Sequence, residues 1–268
     1  MCSTCGCSGT GEGTRINLLT DEDAVGHGHG HGHDHSHDHN HSEDHSHAYE
    51  SRTVVLEQEI LAKNDSLAAT NRRRLSDRGI TAVNLMSSPG SGKTTLLETT
   101  VRALDGQRQT LVIEGDQETW LDAQRIRATG SKVVQINTGA GCHLDASMLA
   151  GGLDELDPPD GSLVFVENVG NLVCPALFDL GETARAVIIS VTEGADKPAK
   201  YPYMFRAADL VLLNKIDLLP YVDFDVDLCL DLIRRLNPKA ELLHVSATKG
   251  TGLDAWCAWL GALQPIPA

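Results

Sequence analysis

The 268-residue sequence predicts an α/β fold, a mostly parallel sheet flanked by helices and preceded by a Cys/His-rich tail without a core of its own. Three observations predict it. From residue 81 onward, short apolar runs alternate with segments of helical pattern, as parallel strands joined by crossover helices require. A Gly-rich turn stands at residues 87–94, where the first of those strands gives way to a helix. Before residue 51 the composition changes: three of the seven cysteines and ten of the twelve histidines lie there, with almost no bulky apolar side chains. Such a segment cannot bury enough surface to offset the entropy of ordering it.

Residues 1–50 are therefore expected to be disordered until something binds them, and residues 51–268 to form the folded domain. Residues 53–78 contain no Gly or Pro and set Val55, Ile60, Leu67 and Leu75 among charged side chains, which predicts an amphipathic helix or two short ones ended by Gly79. Strands are expected at 81–86, 110–113, 132–136, 163–166, 186–191, 210–213 and 242–245. Helices are expected from Lys93 and at 120–128, 145–150, 227–236 and 253–263. In such a sheet, ligands bind at the C-terminal ends of the strands.

The formal net charge of −15 disfavours nucleic acid and anionic membrane surfaces and favours cations as partners. No apolar run approaches the ~20 residues that span a bilayer. The first residues have neither the basic start nor the apolar stretch of a signal peptide, so a cytoplasmic protein is expected. An odd number of cysteines, three of them within six positions, suits thiol ligands in a reducing compartment better than a disulfide framework.

Ser87-Ser88-Pro89-Gly90-Ser91-Gly92-Lys93-Thr94, between strand and helix, has the character of a P-loop. Gly90, Ser91 and Gly92 would turn backbone N–H groups toward phosphate oxygens at a helix N-terminus. Lys93 would reach the β and γ phosphates, Thr94 would bind Mg²⁺, and Thr95 completes the loop. The first position is Ser87 where the usual pattern has Gly. Asn214-Lys215-Ile216-Asp217 names the base: the Asp217 carboxylate can accept from the guanine N1–H and exocyclic amine, a donor pair adenine lacks. Asn214 would bond the opposite edge and the Lys215 stem would cover the ring. Ser246-Ala247 stands where a backbone contact to the guanine O6 is expected. Asp116 and Glu167, at the ends of apolar runs, are the candidate Mg²⁺ carboxylates, and Asp122 the residue that orients the attacking water.

Cys2, Cys5 and Cys7 put three thiolates on a short stretch. With a terminal amine as fourth ligand they would make an S₃N set suited to square-planar Ni²⁺. The histidines at nearly every second position from His27 to His47 suit metal storage. Cys142-His143, with Cys174 as the third donor, predicts an incomplete metal site that a second subunit or water would finish. Cys229 and Cys257 are expected in the core, and His244 is expected to pack within a strand.

At these residues the sequence resembles the hydrogenase-maturation nickel-insertion GTPases, the HypB family, which are SIMIBI-type P-loop GTPases. The resemblance covers the Cys-x-x-Cys-Gly-Cys start, the histidine-rich linker, Ser-Pro-Gly-Ser-Gly-Lys-Thr-Thr, the Cys-His pair with its later Cys-Pro, and Asn-Lys-x-Asp. It implies a tight nickel site at Cys2, Cys5 and Cys7, and a nickel or zinc (Zn²⁺) site at Cys142, His143 and Cys174. It further implies a slow GTPase, a GTP-favoured homodimer, and delivery of nickel to the [NiFe]-hydrogenase large-subunit precursor with a small zinc-containing accessory protein. The alternatives are a urease accessory GTPase, which Cys2, Cys5 and Cys7 argue against, and a metal-storage protein whose nucleotide domain only dimerises it. On this reading the terminal thiolates ride a long tether that cannot sense nucleotide. Cys174, close behind Glu167, can.

Overall fold

The computed structural model describes residues 15–19, 46–117, 120–139 and 141–265, and of 46–57 the backbone alone. The centre of the fold is β2 (Thr81–Ser87), every residue of which is buried. Successive side chains point to opposite faces. Val83 and Leu85 enter one apolar layer with Leu97, Val101, Phe165 and Trp256. On the other face Ala82 joins Ile113, Ile136, Leu149 and Leu153, while Met86 joins Val187, Phe205 and Ile233. A strand buried on both faces reads as a largely apolar run, and this one does, broken by the buried polar residues Thr81, Asn84 and Ser87.

The remaining strands are β1 (Arg15–Leu18), β3 (Thr110–Asp116), β4 (Lys132–Asn137), β5 (Leu163–Glu167), β6 (Ala184–Ser190), β7 (Leu210–Asn214) and β8 (Glu241–His244). They form one sheet in the order β1-β4-β3-β5-β2-β6-β7-β8. Every pairing is parallel except that of β1 with β4. The helices are α1 (Ser46–Asp77), α2 (Lys93–Ala103), α3 (Leu121–Arg127), α4 (Ala146–Leu156), α5 (Lys197–Lys200), α6 (Pro202–Arg206), α7 (Val226–Leu236) and α8 (Leu253–Ala262). None is long and apolar enough to cross a membrane.

Three features differ from the expectation. First, β1 lies within the segment expected to stay disordered. Ile16 and Leu18 alternate with Arg15 and Asn17, and the pairing satisfies the backbone polar groups that β1 and β4 turn toward each other. The two apolar side chains pack beside Ile136, Leu149 and Leu153. A Cβ on Gly151 of α4 would stand 2.5 Å from Ile16 Cδ1, so the helix makes room for the strand. Cys2, Cys5, Cys7 and the histidine run up to 45 lie outside the described residues.

Second, α1 is a single helix, one of the two alternatives expected, but it starts earlier, at Ser46, and its docking face is Asn64, Ala68, Asn71 and Leu75, all buried. Ile60 is 49 % exposed and Leu67 half-buried, so of those two and Leu75 only Leu75 lies in the contact. Asparagine wins because the helix packs on loops whose backbone groups need partners. Asn64 donates to the Asp179 carbonyl at 2.7 Å and accepts from the Ala146 N–H at 2.9 Å. Asn71 donates to the carbonyls of Ala146 and Leu180 at 2.8 and 3.0 Å. Third, His244 ends the edge strand β8 and is exposed, because no further strand covers it.

A candidate nucleotide pocket coupled to a three-ligand metal cluster

β3 and β5 run farther than their apolar residues alone suggested, so Asp116 and Glu167 are the last residues of adjacent strands. Their ends and the loop after β2 enclose a cleft of about 510 Å³, lined among others by Lys93, Thr94, Thr95, Asp116 and Asp122. Gly92 sits at φ 94°, a left-handed conformation that a side chain disfavours, and a Cβ there would meet the Asn214 amide at 2.6 Å. No side chain caps the N-terminus of α2, so its first turn faces the cleft as an anion site does.

Lys93 Nζ and Thr94 Oγ1 both donate to Glu167 Oε1 at 2.6 Å. Glu167 Oε2, fully buried, has no hydrogen-bond partner, and neither does Ser91 Oγ. A carboxylate with one orphaned oxygen beside a threonine hydroxyl is an oxygen donor set of the kind Mg²⁺ takes. Asp122 stands over the cleft on α3, bonded to Arg125 at 3.2 Å, and Arg125 also reaches Thr95 Oγ1 at 3.0 Å and Glu98 at 2.7 Å.

The residues expected to receive the base form a braced group behind the P-loop. Asn214 donates to the Ser91 carbonyl at 2.9 Å and accepts from the Ala247 N–H at 3.2 Å. Its amide therefore ties the phosphate loop to the 246–247 loop and has one N–H left for a base. Lys215, at φ 60°, lays its ammonium on the Gly90 carbonyl at 2.7 Å. Ser246 Oγ donates to Asp217 Oδ1 at 2.5 Å, which orients the carboxylate.

Glu114, two residues before Asp116 on β3, was not singled out in the sequence. It is opposite Glu167 in register and 2 % exposed, with Oε2 unpartnered. Burial, and then the neighbouring Glu167 and Asp116 carboxylates, push its pKa up to about 9. Alternation along β3 would have put it on the Lys93 side once the strand was known to continue to Asp116.

Cys142, His143 and Cys174 come together with their donor atoms within 4.8 Å of one another. Cys142 Sγ is 3.6 Å from His143 Nδ1, and Phe178 stacks on the imidazole at 4.0 Å between centroids. Burial holds the imidazole below its ordinary pKa against the opposing pull of Asp145, which favours the neutral, metal-binding form. Cys229 is fully buried in the core, its pKa pushed by burial to about 11, whereas Cys257 is only half-buried against the core's margin, with burial raising its pKa as well.

Two asparagines not singled out in the sequence join the cluster to the cleft. Asn168, fully buried and next to Glu167, accepts from the N–H of Leu144 at 3.1 Å and of Val169 at 3.0 Å. It donates to Asn84 Oδ1 at 3.3 Å, and Asn84 donates to Glu182 at 3.2 Å. Asn171 donates to the Cys142 carbonyl at 3.3 Å and accepts from the Val173 N–H at 2.8 Å. The segment from Glu167 to Cys174 thus begins on Lys93 and ends in the Cys142, His143 and Cys174 cluster, and on the way it grips the Cys142–Leu144 loop twice.

These features define a P-loop nucleotide-binding protein with a thiolate and imidazole cluster beside its nucleotide pocket. Residues 81–244 match the CobW/HypB/UreG nucleotide-binding domain. Hydrogenase maturation factor HypB of Azotobacter vinelandii is 58 % identical over 211 residues, covering 79 % of this chain and 70 % of that one. That of Escherichia coli K12 is 54 % identical over 211 residues, covering 79 % and 73 %. The crystal structure of hydrogenase maturation factor HypB from Archaeoglobus fulgidus superposes with a TM-score of 0.70 at 40 % identity, covering 75 % of this chain and 98 % of that one. The structure of HypB from Helicobacter pylori in complex with nickel does so with a TM-score of 0.70 at 37 % identity, covering 77 % and 99 %. The chain belongs to the HypB family of hydrogenase maturation factors.

Proposed function

We propose that this chain is a GTP-hydrolysing nickel metallochaperone. It carries Ni²⁺ on Cys2, Cys5 and Cys7, stores it on the histidines of 27–47, and binds Ni²⁺ or Zn²⁺ at Cys142, His143 and Cys174. It delivers nickel to the [NiFe]-hydrogenase large-subunit precursor with a zinc-containing accessory protein, in the cytoplasm. The observation that carries the reading is the continuous connection from Lys93 through Glu167 and Asn168 to the Cys142–Leu144 loop. A structure of a HypB relative in complex with nickel supports the cargo.

In the chemistry proposed, the backbone N–H groups of Gly90–Thr95 and the Lys93 ammonium receive the phosphates. Asn214, Lys215, Asp217, Ser246 and Ala247 receive guanine. Mg²⁺ supplies charge neutralisation on the β and γ phosphates when bound, and Thr94, Asp116 and Glu167 would hold it. Asp122 orients the water. Lys93 turning to phosphate gives up Glu167, and the Glu167–Cys174 segment changes its hold on the cluster. A three-donor cluster is one ligand short of four, and a second copy in a GTP-favoured homodimer would supply the remainder.

The test is nickel titration of the full-length Cys2→Ser/Cys5→Ser/Cys7→Ser chain with GDP and with a non-hydrolysable GTP analogue. Serine variants are preferable to truncation at residue 51, which would remove β1 from the sheet. The affinity of the remaining site should differ at least ~5-fold between the two nucleotides, and Lys93→Ala should abolish the difference. Equal affinities in both states would leave the metal-storage reading standing instead.

A further inference from the structure

A cleft that takes a nucleoside triphosphate needs positive charge, and in a chain of net charge −15 there is little of it to draw on. Among the described residues, the cationic side chains that line the cleft are Lys93, Lys215 and Arg125, set against the carboxyl groups of Glu114, Asp116 and Asp122. Mg²⁺ neutralises a triphosphate only in part, so the side-chain cations carry the rest. Lys93 and Lys215 already have places in the proposed chemistry, on the phosphates and with the base. Arg125 has none.

The short helix α3 sets Arg125 at the phosphate end. Its buried residues are Ala123 and Ile126, so Asp122 and Arg125, spaced to share one face, flank that buried edge and both line the cleft. The guanidinium bridges from α3 to α2. Nη2 donates to Glu98 Oε2 at 2.7 Å and to Thr95 Oγ1 at 3.0 Å, and Nη1 donates to Asp122 Oδ1 at 3.2 Å. Thr95 belongs to the uncapped first turn of α2, the anion-binding end of that helix. Glu98 is 18 % exposed and holds the shorter contact, whereas Asp122 is 44 % exposed and holds the longer one, so the Asp122 contact is the one that yields first. Lys93 is held in the same manner, on Glu167 at 2.6 Å. Both cations at the phosphate end therefore rest on carboxylates, and a bound phosphate competes for both.

We propose that Arg125 is a catalytic residue of GTP hydrolysis, supplied by the same chain: with GTP bound, its guanidinium releases Asp122, stays anchored on Glu98 and donates to the γ-phosphoryl oxygens. The oxygen of the attacking water forms its bond to the γ phosphorus as the bond to the β,γ-bridging oxygen breaks. That bridging oxygen keeps the electron pair and leaves with GDP, and the water's proton goes to the phosphate product or to solvent. Arg125 moves no proton. It neutralises the charge that grows on the oxygens around the transferring group, and its planar fork of donors can meet two of them at once. Released from Arg125, the Asp122 carboxylate is open to the water it is proposed to orient. This role rests on the GTPase reading.

The test is single-turnover hydrolysis of γ-labelled GTP with Mg²⁺ by the full-length chain, beside its Arg125→Gln, Arg125→Ala and Lys93→Ala variants. Glutamine can still hydrogen-bond Glu98 and Thr95 but carries no charge, so the rate constant should fall at least ~10-fold in both Arg125 variants. The Kd for GDP should stay within about twofold, because GDP lacks the group that Arg125 meets. Affinity for GDP with aluminium fluoride, which fills the γ position in the geometry of the transferring group, should weaken at least ~10-fold. A rate that Arg125→Gln leaves unchanged would overturn the role. So would equal losses of rate and of GDP affinity, which make Arg125 a ligand of the resting phosphates. A lost rate with an undiminished aluminium fluoride complex overturns it too, leaving Arg125 a brace for Asp122. If the parent hydrolyses GTP no faster than Lys93→Ala, the GTPase reading is wrong and the Arg125 role goes with it. A parent faster than Lys93→Ala but equalled by Arg125→Gln removes the Arg125 role alone.

Discussion

Glu114 faces Glu167 across two paired strands, and its second oxygen has no partner, so ionising it costs the folded chain more than it costs the unfolded one. Its folded pKa of about 9 lies above the ordinary 4.5. The proton is therefore bound more tightly in the fold. The stabilisation it brings is complete below the unfolded pKa and is lost as pH rises toward the folded one. Glu114→Gln keeps the shape and removes the titration. In nucleotide- and metal-free chain, its melting temperature should exceed the parent's by a few degrees more at pH 8 than at pH 5. A gap that stays constant with pH would contradict this account. The motif residues around Glu114 were legible because each owes its role to its own chemistry and its neighbours in sequence. Glu114 and Asn168 owe theirs to strand register, which one sequence does not display.

At the scale of elements, the strands and the helices behind them were legible from apolar runs and periodicity, whereas α1 and β1 show where that signal fails. β1 offers two apolar side chains in a Gly-rich and charged setting, and its partner β4 is more than a hundred residues away, so no local pattern announces it. For α1, Ile60 and Leu67 lie off the centre of the contact, and Asn64 and Asn71 make it together with Ala68 and Leu75. This inverts the usual ranking of core substitutions. Asn71→Ala strands the carbonyls of Ala146 and Leu180 in a buried joint, which should cost ~2–3 kcal/mol. Ile60→Ala, at a position 49 % exposed, should cost under ~0.5 kcal/mol. Urea unfolding of the two variants decides it: a costlier Ile60→Ala would mean that α1 docks on its apolar stripe.

For the whole molecule, the proposed nucleotide and metal sites share the Glu167–Cys174 segment, and if both bind, thermodynamic linkage constrains them jointly. If exchanging GDP for a GTP analogue changes nickel affinity at Cys142, His143 and Cys174 by some factor, nickel must change the preference for the analogue over GDP by the same factor. The segment has two grips on the Cys142–Leu144 loop, through Asn168 and Asn171, and only the first is anchored in the buried Asn84 and Glu182 network. Asn168→Ala removes the anchored grip, so both factors should shrink together toward unity, whereas Asn171→Ala, which loosens the half-buried grip, should reduce them less. Paired titrations in the Cys2→Ser/Cys5→Ser/Cys7→Ser chain, nickel at fixed nucleotide and nucleotide at fixed nickel, measure the two factors separately. Unequal factors would reveal a third bound species in the cycle. Equal factors that Asn168→Ala leaves untouched would show that the coupling runs outside the Glu167–Cys174 segment.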